Sequence, residues 1–85
     1  MRVLVPGPLL SYTAKREVEA VGATLADLLQ DMERQYPGLR FRIIDEQGHV
    51  RPHMRIFING KQAFETERTL QPDDEVQLVQ ALSGG

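Results

Sequence analysis

The chain has no cysteine, no tryptophan and only five other aromatic residues. Without cysteine there can be no disulfide, no thiolate zinc site and no thiol nucleophile. A chain of 85 residues lacking such staples holds together by burial alone, and it has room for one core. The same lack fits a reducing cytosol. Long apolar runs are missing too: Val3-Leu4-Val5 is cut off by Pro6 and Gly7, far too soon for a signal-peptide core or a membrane span. A cytoplasmic protein with no membrane partner is therefore expected. Nor is there an excess of positive charge. A net charge of -2 argues against a nucleic-acid binder, because displacing counterions from phosphates requires a basic surface. Other proteins are the expected partners.

What is present is regular patterning. Arg2 to Val5 reads as a strand stopped by Pro6-Gly7-Pro8, with Glu17 to Val21 as a second strand completing a hairpin and ending at Gly22. Thr24 is a natural N-cap, Asp27 suits the positive end of a helix, and Leu25, Leu28, Leu29, Met32 and Tyr36 recur along one face. Pro37 and Gly38 end that helix. Phe41, Ile43 and Ile44 suggest a third strand before the turn Asp45 to Gly48. Met54, Ile56 and Ile58 alternate with Arg55 and Phe57 up to Asn59-Gly60, the strongest short hairpin signal. After a polar stretch, Pro72-Asp73-Asp74 turns the chain into a last strand, Glu75 to Gln80, with Val76 and Leu78 on one face. The organisation predicted is a domain over residues 1–80 and a flexible tail over residues 81–85.

In that order the chain resembles the small ubiquitin-like sulfur carriers of the MoaD/ThiS type, the family of the molybdopterin-synthase small subunit and the thiamine-pathway carrier. The resemblance runs the whole length. It is carried by Val5-Pro6-Gly7-Pro8-Leu9, Thr24-Leu25-Ala26-Asp27-Leu28-Leu29, Tyr36-Pro37-Gly38-Leu39, Ile58-Asn59-Gly60, Asp74-Glu75-Val76 and Ala81-Leu82-Ser83-Gly84-Gly85. It implies an α+β fold of the ubiquitin-like β-grasp kind, a mixed sheet with one main helix packed across one face. It further implies that the protein is a co-substrate rather than an enzyme, with no bound cofactor. A ubiquitin-activating-type enzyme would use ATP to adenylate the carboxyl of Gly85, and a sulfur donor would convert it to a thiocarboxylate. The acceptor would be an enzyme such as a molybdopterin-synthase large subunit, a thiazole synthase or a cysteine synthase.

The tail suits that role physically. Glycine at 84 and 85 leaves the acyl carbon uncrowded and lets the chain thread a narrow channel, with Ser83 and Leu82 following it in. Five extended residues reach roughly 15 Å, enough to enter a pocket while the fold stays outside. A terminal Gly-Gly by itself is also what a plain chain end looks like, and Leu82 reads equally as a tail anchor or a last core residue. Leu4, Phe57 and Val79 fall out of phase with the inward residues of their strands, which points them, with Arg55, to the face away from the helix. There they would form a docking patch, or lie covered by loops. Arg40, Arg42, Arg51 and Arg55 would recognise an acidic partner if clustered, or form a solvated face. His49 and His53 lack a third ligand, so no metal is expected. Two further functions stay open: a modifier joined to lysines through the same tail, and a β-grasp interaction module whose tail is inert.

Overall fold

The computed structural model describes residues 1–81. Among them five strands, β1 (Arg2–Leu4), β2 (Glu17–Glu19), β3 (Met54–Ile58), β4 (Lys61–Ala63) and β5 (Glu75–Gln80), form one mixed sheet in the order β2-β1-β5-β3-β4. The first and last strands pair in parallel at its centre, and every other pairing is antiparallel. Alternation sorts the two faces. Val18, Val3, Val76 and Ile58 lie in one inward row, and Leu78, Ile56 and Ala63 in the next. All seven are buried.

Helix α2 (Leu25–Gln35) closes that core with Leu25, Leu28, Leu29 and Met32, all without exposed surface. Its start follows the sequence expectation, since Thr24 Oγ1 accepts the Asp27 amide at 3.2 Å. Such a cap contributes about 1 kcal/mol. Each buried aliphatic side chain contributes about 2 kcal/mol, so packing outweighs capping in holding α2. The first hairpin is also present, but its connection is more than a turn: a 3-10 turn (Gly7–Leu9) and a short helix α1 (Leu10–Thr13) lie between β1 and β2. The second strand stops at Glu19, two residues before the expected Val21.

The expected third strand is not formed. Residues Leu39–Ile43 are a helix, α3, entered through Gly38 at φ 96°. Its exposed starting amides are satisfied by a side chain from the preceding helix: Glu33 accepts from Gly38 N at 2.8 Å and from Arg40 N at 2.9 Å. Leu39 and Ile43, four residues apart, share a face and are fully buried, while Phe41 is left 49% exposed. Only Ile44 pairs in the β manner, by an isolated bridge to Val50 across the expected turn. Strand β4 completes the hairpin that Asn59-Gly60 announces, and it forms within the polar stretch that follows that turn. Both turn residues have positive φ, 52° and 84°, as that two-residue hairpin requires.

Candidate functional site

The chemistry expected of this chain sits at its carboxyl end, so the site is built outward from strand β5. Leu82, Ser83, Gly84 and Gly85 lie outside the described residues. What the structure defines is the strand that precedes them. At the start of β5, Asn59 ties the β3–β4 turn to the acidic run. Its amide Nδ2 donates to Asp74 Oδ1 at 2.8 Å, and its Oδ1 accepts the Glu75 amide at 2.9 Å. Asp74 Oδ2 also accepts from the Gln71 amide at 2.8 Å. That backbone bond, helped by the Asn59 amide, holds the Asp74 carboxyl below the usual carboxylate range. The acidic run therefore folds the turn into β5, as its position suggested. At the far end Gln80 pairs with Met54, and the Ala81 amide donates to the His53 carbonyl at 2.7 Å. The chain is thus held in the sheet up to Ala81.

The outward sheet face contains the four residues singled out for docking. Leu4 and Phe57 both stand opposite Gln77, one on each flanking strand, and Val79 stands opposite Arg55. Leu4, Phe57 and Val79 are half-buried, whereas Gln77 and Arg55 are exposed. The patch is therefore a mixed one, with a polar residue at its centre. Arg55 is partly occupied within the fold: its Nη1 donates to the carbonyls of Pro52 at 2.6 Å and Met54 at 2.9 Å. Those carbonyls lie beside a cleft of about 670 Å³, flanked by Val50, Arg55 and Phe64. Phe64 is 75% exposed, the most open large apolar side chain among those described, and sequence reasoning passed over it. Its position directly after the buried Ala63, out of phase with the core, was the available signal.

The arginines separate into two sets. Arg40 has its Nε buried without a partner on α3. Arg42 and Arg51, with Phe41 and His53, line a shallow pocket beside the end of β5. Arg51 lies over the Phe41 ring at 4.5 Å and donates from Nε to the Phe41 carbonyl at 2.6 Å. His49 Nδ1 lies 4.0 Å from Asp45 Oδ2. Asp45 is held below its ordinary range chiefly by the His49 amide. No three potential ligands among His, Asp and Glu come together to hold a metal among the described residues. No helix there is long and apolar enough to cross a membrane.

Comparison with known proteins accords with this architecture. The structure superposes on the crystal structure of the Amycolatopsis orientalis BexX/CysO complex with a TM-score of 0.90, covering 99% of this chain and 98% of that one at 24% identity. SAMP1 from Haloferax volcanii gives 0.79 over 100% and 98% of the two chains at 26% identity. In sequence, small archaeal modifier protein 3 of Haloferax volcanii is 33% identical over 66 residues, covering 74% of this chain and 71% of that protein. These likenesses give the sheet and helix their fold family, the ubiquitin-like β-grasp. The model of the ThiS family matches residues 3–85, and the chain belongs to that family, the MoaD/ThiS type of small ubiquitin-like sulfur carriers and modifiers.

Proposed function

We propose that this protein carries sulfur on its own carboxyl terminus. The Gly85 carboxylate attacks the α-phosphorus of ATP in a ubiquitin-activating-type enzyme, expelling pyrophosphate. A hydrosulfide-level donor then adds to the acyl carbon of the adenylate and expels AMP, leaving a thiocarboxylate. Gly84 and Ser83 thread the partner's channel, Leu82 seats at its mouth, and the face bearing Leu4, Phe57, Val79 and Arg55 docks against the partner. The acceptor is a biosynthetic enzyme of the molybdopterin, thiazole or cysteine type. The observation that supports this reading is the family match reaching residue 85 on a chain without cysteine, which offers no thiol to hold the sulfur instead.

A second reading, conjugation to lysines of other proteins, is favoured by one observation, the likeness to small archaeal modifier protein 3. Intact-mass measurement after incubation with an adenylating enzyme, ATP and hydrosulfide separates the two. Exchange of one oxygen for sulfur is the result expected of a carrier, lost on removal of Gly85. Protein conjugates in a cell extract without that exchange would replace the carrier with the modifier. An unchanged mass under all conditions would leave an interaction module.

A further inference from the structure

The sheet ends in two edge strands, β2 and β4. Each has three residues, so length does not distinguish them; protection does. Along β2, Glu17 and Glu19 flank the buried Val18, and the Glu19 carbonyl already accepts from Gln35 Nε2 at 3.0 Å. Charge and an occupied backbone group keep such an edge from pairing with another chain. Strand β4 begins directly after the two-residue turn Asn59-Gly60, so Ile58 and Lys61 close that turn as a hydrogen-bonded pair. Bonded and non-bonded pairs alternate along an antiparallel ladder. Phe57 and Gln62 are therefore a non-bonded pair, and the N–H and C=O of Gln62 point away from the sheet. Among the described residues no other backbone group meets them. Phe64, two residues on and 75% exposed, follows in the same phase, and the chain does not turn until Thr66-Glu67.

We infer that the β4 edge pairs with the same edge of a second copy of this chain, antiparallel about a two-fold axis at Ala63. In that register Gln62 of each copy faces Phe64 of the other, and both pairs exchange their outward backbone bonds. Lys61 then stands opposite Glu65 of the other copy, once on each side of the axis. Both are exposed, and neither has an ion-pair partner among the described residues. Opposite charges facing each other across two strands stabilise the pairing, and like charges weaken it. The same operation at β2 would set Glu17 against Glu19. Self-pairing thus belongs to β4, and it stops at a dimer because a two-fold contact uses each β4 edge once. The two Phe64 rings lie diagonally across the axis, within aromatic reach of each other, and alternation puts them on the face that bears Phe57. A contact this small belongs to the weak class of interfaces. It is independent of the chemistry at the carboxyl terminus.

Sedimentation equilibrium of the full-length chain, from about 10 μM to about 1 mM, tests the pairing. The weight-average mass is expected to rise with concentration toward that of a dimer. Gln62→Pro deletes one outward N–H, a change that an edge strand accommodates. It should leave a monomer throughout, with a melting temperature within a few degrees of the wild type. Lys61→Glu and Glu65→Lys should each weaken the dimer about tenfold. Combined, Lys61→Glu/Glu65→Lys should restore it, because the exchange returns opposite charges to both pairs. A wild type still monomeric at the highest concentration would overturn the proposal and leave the edge to a strand of a different protein. A dimer indifferent to Gln62→Pro would overturn the β4 contact, and a double variant no tighter than the single ones would overturn the register.

Discussion

The backbone amide of Ala81 donates to the carbonyl of His53 at 2.7 Å, so Ala81 is fixed beside the start of β3. Proline at 81 would delete that donor while the preceding residue keeps its extended conformation. The His53 carbonyl can then be hydrated, so the stability cost of Ala81→Pro should be about 1 kcal/mol or less. The functional cost should be larger, because the tail no longer starts from a set direction. We expect a several-fold fall in kcat/KM for adenylation with a melting temperature lowered by only a few degrees. Unaltered kinetics would show that the anchoring is irrelevant to activation.

Phe57 and Leu4 flank Gln77 on the outward face, and neither is part of the buried core. Phe57→Asp should therefore leave the fold intact at a cost of about 1 kcal/mol, the span of strand preferences. Removing an apolar contact and adding a charge to a docking face should weaken partner binding by tenfold or more, about 1.4 kcal/mol. Titration calorimetry against the adenylating enzyme reads this directly. Equal affinities for variant and wild type would take the patch out of the interface.

The parts of the fold legible in the sequence are those where one local rule acts without competition. Thr24 with its apolar stripe, Asn59-Gly60, and the alternation of Val76 and Leu78 each specify an element on their own, and each is found in place. Phe41, Ile43 and Ile44 read as a strand because each suits one locally, yet Leu39–Ile43 is a helix. The cap that makes the segment helical comes from Glu33, a partner that no local pattern announces. Strand β4 is announced by the Asn59-Gly60 turn alone, because an edge strand of three residues has one buried position, Ala63, too few for alternation to register. At the site, phase alone placed Leu4, Phe57 and Val79 on the outward face. The gathering of Arg42, Arg51 and His53 depends instead on α3 being a helix, and so could not be derived from a strand.

Stability should respond to acid in a defined direction. Asp31, nine-tenths buried, accepts from the Val21 amide at 3.1 Å and the Gln35 side chain at 3.0 Å, and it pairs with Arg34. The Val21 amide first, and Arg34 next, hold its carboxyl below the usual range. The Gly38 and Arg40 amides do the same for Glu33. A carboxyl depressed in the folded state stabilises above its ordinary pKa and loses that contribution as pH falls through the folded value. The urea midpoint should thus be flat from pH 8 to about pH 5 and drop below about pH 4. Glu33→Gln should be less stable than the wild type at pH 7 and converge with it near about pH 3. Parallel curves at every pH would show that Glu33 contributes no charge-dependent stability.

Two glycines offer the same substitution in opposite settings. At Gly22, between β2 and the start of α2, an added Cβ would fall 2.4 Å from the Leu28 amide nitrogen and 2.8 Å from both the Asp27 carbonyl carbon and Leu28 Cα. These are backbone atoms of the helix's first turn and cannot swing aside as a flexible side chain would. Relief requires α2 to move off the end of β2, which disturbs the packing of Leu25 and Leu28, the Thr24 cap and the Thr24–Thr69 bridge. Forcing one extra carbon into packed backbone costs about 1 to 3 kcal/mol, and Gly22→Ala should fall at the upper end because several contacts move together. Gly7 has nothing within 4 Å of a Cβ and no positive φ. There alanine restricts only the unfolded chain, so Gly7→Ala should be neutral or more stable by about 0.5 kcal/mol. In thermal melts followed by circular dichroism, Gly22→Ala should melt about 10 °C or more below the wild type and Gly7→Ala at or just above it. Equal shifts for the two would mean that the close approach of Gly22 to the helix does not set the packing of α2 on the sheet.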